Sequence, residues 1–146
     1  MRDEVNNALE ALIQNELDMG AGEVAVEAGR VLNAGGKRLR PILFLLAYRV
    51  AGGANQEDVM PLALAFELIH TATLVHDDIN DEAQQRRGIP TIHANAGQAK
   101  AVIAGDWLFV QGFGLGAGGT LRKSFPSSLV AAPTSLFLNS TNSTTC

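Results

Sequence analysis

The sequence predicts an all-α fold, and three observations carry that expectation. Apolar residues recur at three-and-four spacing, the mark of an amphipathic helix. Aromatic residues are only 5% of the chain against 47% hydrophobic, so the core is aliphatic and alanine-rich, which favours helices over sheets. Each periodic stretch is also punctuated by glycine or proline, as helix ends are.

The elements follow in order. Val5, Ala8, Leu9, Leu12, Ile13 and Leu17 form the stripe of a first helix, ended at Met19-Gly20. A second runs from about Glu23 to Asn33 and stops at Gly35-Gly36. A third starts near Pro41, a residue suited to a first turn, and ends at Gly52-Gly53. The fourth takes Asp58 as N-cap, with Pro61 in its first turn, and runs to Gly88, where Gly88-Ile89-Pro90 breaks it. After a loop, Gly97 to Phe113 reads as a fifth helix.

The character of the chain then changes. Glycine recurs from Gly112 to Gly119, serine, threonine and asparagine dominate from Ser124, and no Asp or Glu follows Asp106. Residues 1–115 are therefore expected to be one helical portion and residues 116–146 a low-complexity tail, disordered or foreign through a frame shift. The Asn-x-Ser/Thr tripeptides at Asn139 and Asn142 are read as accidents of that composition.

Bulk properties exclude several classes. A net charge of −4 with no long basic run argues against a nucleic-acid partner. The single cysteine, Cys146, allows no internal disulfide and points to a reducing compartment. The N-terminus lacks the layout of a signal peptide. The longest apolar stretch, Pro41 to Tyr48, is far short of the roughly 20 residues of a membrane span. The expectation is a cytoplasmic protein without a membrane span.

Chemistry concentrates in three places. In the segment from Glu67 to Asp81, Asp77 and Asp81 lie about 40° apart on a helix advancing ~100° per residue, one turn apart along the axis, with His70 at an azimuth between them. Two carboxylates so placed can share Mg²⁺, which takes one or two carboxylates plus diphosphate oxygens. The alternative is a solvated helix turn. Against it, like charges one turn apart repel, and these acids end an apolar run from Leu62 to Val75. Asp78 lies about 80° round from His70 and is a weaker candidate ligand.

The second place is Gly35 to Pro41, whose cations Lys37, Arg38 and Arg40 sit where a helix begins. Cations there oppose the helix dipole unless an anion joins them, and lysine with arginine suits a diphosphate. The plain alternative is an exposed basic turn. The third is Arg86-Arg87-Gly88 through His93, read as arginines in the last turn of the fourth helix. Such arginines are ordinary dipole partners, but here they follow the acids by about one to three turns, placing metal-binding acids and phosphate-binding arginines along one cavity wall.

The glycine–basic segment, the His-to-Asp-Asp-x-x-Asp segment, the Arg-Arg-Gly-x-Pro-Thr-x-His segment and Gly105-Asp106 together closely resemble the trans-type polyprenyl diphosphate synthase family, over about Val24 to Phe113. The resemblance implies the N-terminal part of the isoprenoid synthase helical bundle. It also implies a prenyltransferase of isoprenoid biosynthesis, condensing isopentenyl diphosphate head to tail with an allylic diphosphate. On that resemblance Lys37, Arg40, His70 and Arg87 bind isopentenyl diphosphate. Asp77 and Asp81 bind Mg²⁺, and Arg86 contacts the allylic diphosphate, so that Asp77, Asp81 and Arg86 form the catalytic set. A homodimer is expected of the intact enzyme. Small residues at Ala72 and Thr73 hint at a product longer than farnesyl, or simply at close helix packing.

The family also uses a second aspartate-rich motif more than a hundred residues further on, which has no counterpart here. The 146-residue chain is therefore expected to be a truncated form, inactive alone, whose helices leave apolar stripes uncovered. A non-catalytic partner of a full-length synthase is the main alternative. A metal-dependent phosphohydrolase using His76-Asp77 is another, though it has no required place for the basic segments.

Overall fold

The computed structural model describes residues 1–124, with side chains through Gly118. Its elements are α1 (Arg2–Asp18), α2 (Gly22–Asn33), α3 (Leu39–Val50), a 3₁₀ turn (Gln56–Asp58), α4 (Met60–Asn80), β1 (Gln85–Arg86), β2 (Ile89–Pro90), α5 (Ile92–Ala96) and α6 (Gln98–Ser124). The all-helical expectation holds, with one two-stranded hairpin added. Asn139, Asn142, Cys146 and most of the predicted tail lie outside the described residues.

Helices α1 and α2 end where the sequence predicts. Val5, Leu9 and Ile13 bury the α1 stripe against Ala28 and Leu32 of α2. Gly29 is required by that packing: a Cβ there would lie 2.8 Å from Ile13 Cγ2. The long pair α4 and α6 forms the centre, through Ala63, Leu64, Leu68, Ala72 and Val75 on α4 and Ala101, Ala104 and Leu108 on α6. Small residues bring these two helices close. At Gly112 a Cβ would stand 2.7 Å from Ile69 Cγ1, and at Gly105 it would collide with the His76 ring. Trp107 and Phe109 pack at the edge of this core.

Several expected boundaries move. Helix α3 begins at Leu39, two residues before Pro41, because Arg38 turns the chain with φ 50°. Asp58 is not the N-cap of the fourth helix but the end of the 3₁₀ turn, which Asn55 caps by accepting the Glu57 N–H; α4 starts at Met60 with Pro61 in its first turn. Helix α4 stops at Asn80 rather than Gly88. Asp81 closes it, and Glu82, at φ 52°, diverts the chain into the hairpin. Arg87 and Gly88, with φ 54° and 80°, form the two-residue turn, since two positive φ values match the twist of the strands. What the sequence presents as a loop before Gly97 is thus a hairpin and a short helix. Helix α6 continues past Phe113 to Ser124, so its glycines sit in a helix.

By length and mean hydropathy of 1.2, Gln98–Gly118 would suit a membrane span, yet its Ala101, Ala104 and Leu108 are fully buried against α4. It is a core helix. Apolar faces nevertheless remain open. Leu39, Leu43, Leu46 and Val50 recur along one side of α3, and Val110 and Phe113 project from α6, all at least 44% exposed.

Candidate functional site

The glycine–basic segment, the middle of α4 and the hairpin turn meet around one cavity of about 440 Å³. Lys37 and Arg40 come from the segment entering α3, His70 from α4 and Arg87 from the hairpin turn, and Ala34, Gly36, Arg38, Leu39 and Glu67 complete the lining. The cavity falls within the usual range for small-ligand sites.

Arg38 shapes its wall from behind. This residue is 4% exposed, and its guanidinium donates to Glu67 Oε1 at 2.8 Å, to Asn6 Oδ1 at 3.0 Å and to the carbonyl oxygen of Leu32. The Leu32 bond satisfies one of the carbonyls left open at the end of α2. Of the three cations in the segment, the middle one is therefore a structural tie and the flanking two remain exposed for a ligand. Sequence spacing gave no sign of this, because the left-handed turn at Arg38 is what reverses its side chain relative to Lys37 and Arg40.

Arg87 reaches across from the hairpin and donates from Nη1 to the carbonyl oxygen of Gly35. Its guanidinium lies so near Gly36 that a Cβ there would sit 3.0 Å from Nη1 and 3.3 Å from Cζ. The second glycine of the pair is what lets the arginine close the cavity. His70 is half-buried beside it. Burial pushes its imidazole below the ordinary value near 6.5, Arg40 pushes the same way, Glu67 opposes, and Arg87 and Arg86 add to the lowering. Near neutral pH the ring is held neutral, a hydrogen-bonding group among permanent cations.

The hairpin is fixed at several points. Arg30 of α2 donates to the Pro90 carbonyl at 2.7 Å, and Asn95 donates to Glu27 at 2.8 Å. Thr91, 2% exposed, donates its hydroxyl to the Ala83 carbonyl at 2.7 Å and caps α5 by accepting the Ala94 N–H. Because that hydroxyl proton is committed to Ala83, the 3.2 Å contact with His93 Nδ1 requires His93 to be the donor. Thr91 and His93 stand in the segment that the sequence singles out, but their role in holding Arg86 and Arg87 was not legible there.

Asp77 and Asp81 are exposed at the end of α4, rooted one turn apart by the bond from the Asp81 N–H to the Asp77 carbonyl at 2.8 Å. Neither lines the cavity that holds Lys37, Arg40, His70 and Arg87. Arg86 does not line it either. Its Nε and Nη2 lie 2.8 and 2.7 Å from Asp78 Oδ1, beside a crevice of about 10 Å³ behind the hairpin. The single cavity wall expected from a continuous helix is thus replaced by two regions, because the chain leaves the helix at Asp81. Among the described residues no three acids, histidines or cysteines converge as a metal cage. Two exposed carboxylates one turn apart do fit a hard cation that draws its remaining ligands from water and phosphate. His76 points elsewhere, 3.5 Å from Asp106 and stacked on Phe109. Ala72 is fully buried, whereas Thr73 is exposed and donates to the His70 carbonyl at 2.7 Å.

Known proteins share the sequence pattern and the fold of this chain. Residues 24–127 match the polyprenyl synthetase family. The geranylgeranyl diphosphate synthase of Methanosarcina mazei is 44% identical over 115 residues, covering 76% of this chain and 35% of that protein. Among solved structures, a geranylgeranyl pyrophosphate synthetase from Geoglobus acetivorans superposes with a TM-score of 0.71 at 37% identity, covering 77% of this chain and 36% of that one. A polyprenyl synthase from Caulobacter crescentus, complexed with calcium and isoprenyl diphosphate, gives a TM-score of 0.68 at 34% identity, covering 88% of this chain and 38% of its own. The chain spans about a third of the length of these relatives. With the match running across α2 to α6 and taking in the cavity and the aspartate cluster, the chain belongs to the polyprenyl synthetase family.

Proposed function

We propose that this chain carries the isopentenyl diphosphate half of a prenyltransferase site, in which isopentenyl diphosphate is joined head to tail to an allylic diphosphate. The observation that carries the reading is the convergence of Lys37, Arg40, His70 and Arg87, from three separate segments, on one cavity. Two arginines and a lysine around a neutral imidazole suit a diphosphate, because arginine offers paired donors and lysine a compact charge. The hydrocarbon tail of the allylic substrate, the part that lengthens, would then run along the exposed side of α4, which makes Thr73 rather than Ala72 the residue of the pair placed to meet a growing product.

Asp77 and Asp81 are the carboxylates to hold Mg²⁺, with Arg86 at the edge of the allylic diphosphate. When bound, the cation would supply charge neutralisation for the departing diphosphate. The chain's own residues orient the two substrates: the cavity cations fix the isopentenyl diphosphate while the acids and Arg86 fix the allylic one. The Caulobacter relative with calcium and isoprenyl diphosphate supports both a hard cation and a diphosphate here. In the whole protein a homodimer formed through uncovered apolar faces is part of the same proposal, as is a cytoplasmic location.

The test is calorimetric titration of isopentenyl diphosphate into the 146-residue chain without metal. Binding that Lys37→Ala and Arg87→Ala each weaken by about tenfold is expected, roughly the loss of one charge-assisted hydrogen bond. Absence of binding by the unsubstituted chain, or undiminished affinity in both variants, would overturn the reading. With one aspartate cluster among the described residues, the chain alone is expected to bind isopentenyl diphosphate and to condense nothing detectable.

A further inference from the structure

We infer that Asp78 is the positioning residue of Arg86, a buried carboxylate that holds the guanidinium beside the aspartate cluster, and not a third ligand of the cation. The inference rests on the diphosphate reading above, and it divides three neighbouring aspartates into two jobs. Asp77 and Asp81 are exposed, whereas the Asp78 side chain is 6% exposed. Asp78 shares its face of α4 with Thr71, seven residues earlier and 2% exposed, and the two line one crevice with Val31 of α2 and with Ala34 just past its end. That crevice holds about 10 Å³, no more than one water. A cation that keeps several waters of its own does not fit there.

The carboxylate is instead committed to Arg86. Both Nε and Nη2 close on the same oxygen, Oδ1, at 2.8 and 2.7 Å. A guanidinium has five N–H donors, so three remain for an anion, and the Arg86 side chain is 33% exposed and can present them. The pair also spans the point where α4 gives way to the hairpin, from the last turn of the helix to β1. An arginine on a two-residue strand would otherwise carry its full rotamer freedom, and anchoring removes that cost before a ligand arrives.

The test uses the ¹⁵N-labelled 146-residue chain with Asp78→Asn, Asp78→Glu, Asp77→Asn, Arg86→Gln and the Asp78→Asn/Arg86→Gln double variant. Three readings are taken: the Arg86 Nε–H signal by NMR, affinity for Mn²⁺ alone by paramagnetic broadening, and affinity for inorganic pyrophosphate alone. Wild type should show a slowly exchanging Arg86 Nε–H that Asp78→Asn loses and Asp78→Glu, which keeps the charge and the fold, retains. Asp78→Asn should leave Mn²⁺ affinity nearly unchanged while Asp77→Asn lowers it. With the neighbouring cavity disabled by Lys37→Ala/Arg40→Ala, pyrophosphate affinity should fall about tenfold on adding Asp78→Asn or Arg86→Gln, with no further fall on adding both. Loss of Mn²⁺ affinity in Asp78→Asn equal to that in Asp77→Asn would make Asp78 a ligand and overturn the inference. So would an Arg86 Nε–H that exchanges freely in wild type. A wild-type chain with the protected Nε–H but no pyrophosphate uptake would instead sink the diphosphate reading, so the two failures are separable.

Discussion

Glu67→Ala should destabilise this chain strongly, although it removes one side chain from the wall of a cavity. The carboxylate is 4% exposed and sits 2.8 Å from the Arg38 guanidinium, itself 3% exposed. Truncation leaves a buried cation with only Asn6 and the Leu32 carbonyl as partners. Breaking a buried pair from one side costs about 3–5 kcal/mol. Domains of ordinary stability hold about 5–15 kcal/mol in all, so the loss is a large fraction. Near the melting point it corresponds to a fall of about 10–20 °C for a domain of this size. Removing both partners with Arg38→Met/Glu67→Leu should cost less, about 1–3 kcal/mol, because the remaining penalty is the uncapped Leu32 carbonyl. The assay is thermal and urea denaturation followed by far-ultraviolet circular dichroism, on both variants and wild type. A Glu67→Ala melt within a few degrees of wild type would refute the reasoning, and with it the account of why Arg38 is withdrawn from the ligand.

Three further outcomes are expected. Gly36→Ala should strain the backbone, which stands at φ 155°, as well as crowd the end of Arg87, 3.0 Å away, and so should lower the melting temperature and weaken isopentenyl diphosphate binding about tenfold; unchanged calorimetric affinity would remove Gly36 from the site. Since the folded His70 pKa is lowered, the unfolded chain binds the proton first, so His70 should cost stability as pH falls below its ordinary ~6.5. Urea midpoints of wild type should therefore drop more than those of His70→Gln between pH 7.5 and 5.5, and parallel curves would count against the lowering. Lysine at both Leu43 and Val50, 62% and 89% exposed, should reduce binding of an apolar dye and concentration-dependent self-association seen by light scattering; no change would show that the α3 face is not adhesive.

The sequence by itself determined the helices whose apolar spacing and flanking glycines agree. Helices α1 and α2 stand where Val5, Leu9, Ile13 and the glycines after Asn33 put them, since local periodicity and local breakers act within one turn. Cations crowding a helix start and an arginine pair after acids were visible without coordinates, but it was the resemblance to the polyprenyl diphosphate synthase family that named Lys37, Arg40, His70 and Arg87 as one set. The end of α4 was not legible. Asp81 to Gln84 is polar enough to continue a helix, and the hairpin is chosen by bonds from distant residues, Arg30 to Pro90 and Thr91 to Ala83 among them.

Only the tertiary structure decided which like-charged neighbours do which work. Arg38 and Arg40 differ by two positions, as Asp77 and Asp78 differ by one, and nothing in residue type separates them. A left-handed backbone at Arg38 and the approach of Arg86 to α4 turn one of each pair inward, where a buried charge must find its partner, and leave the other facing solvent. Composition fixes how many charges a segment carries; the packing around them decides which are neutralised inside and which remain for chemistry.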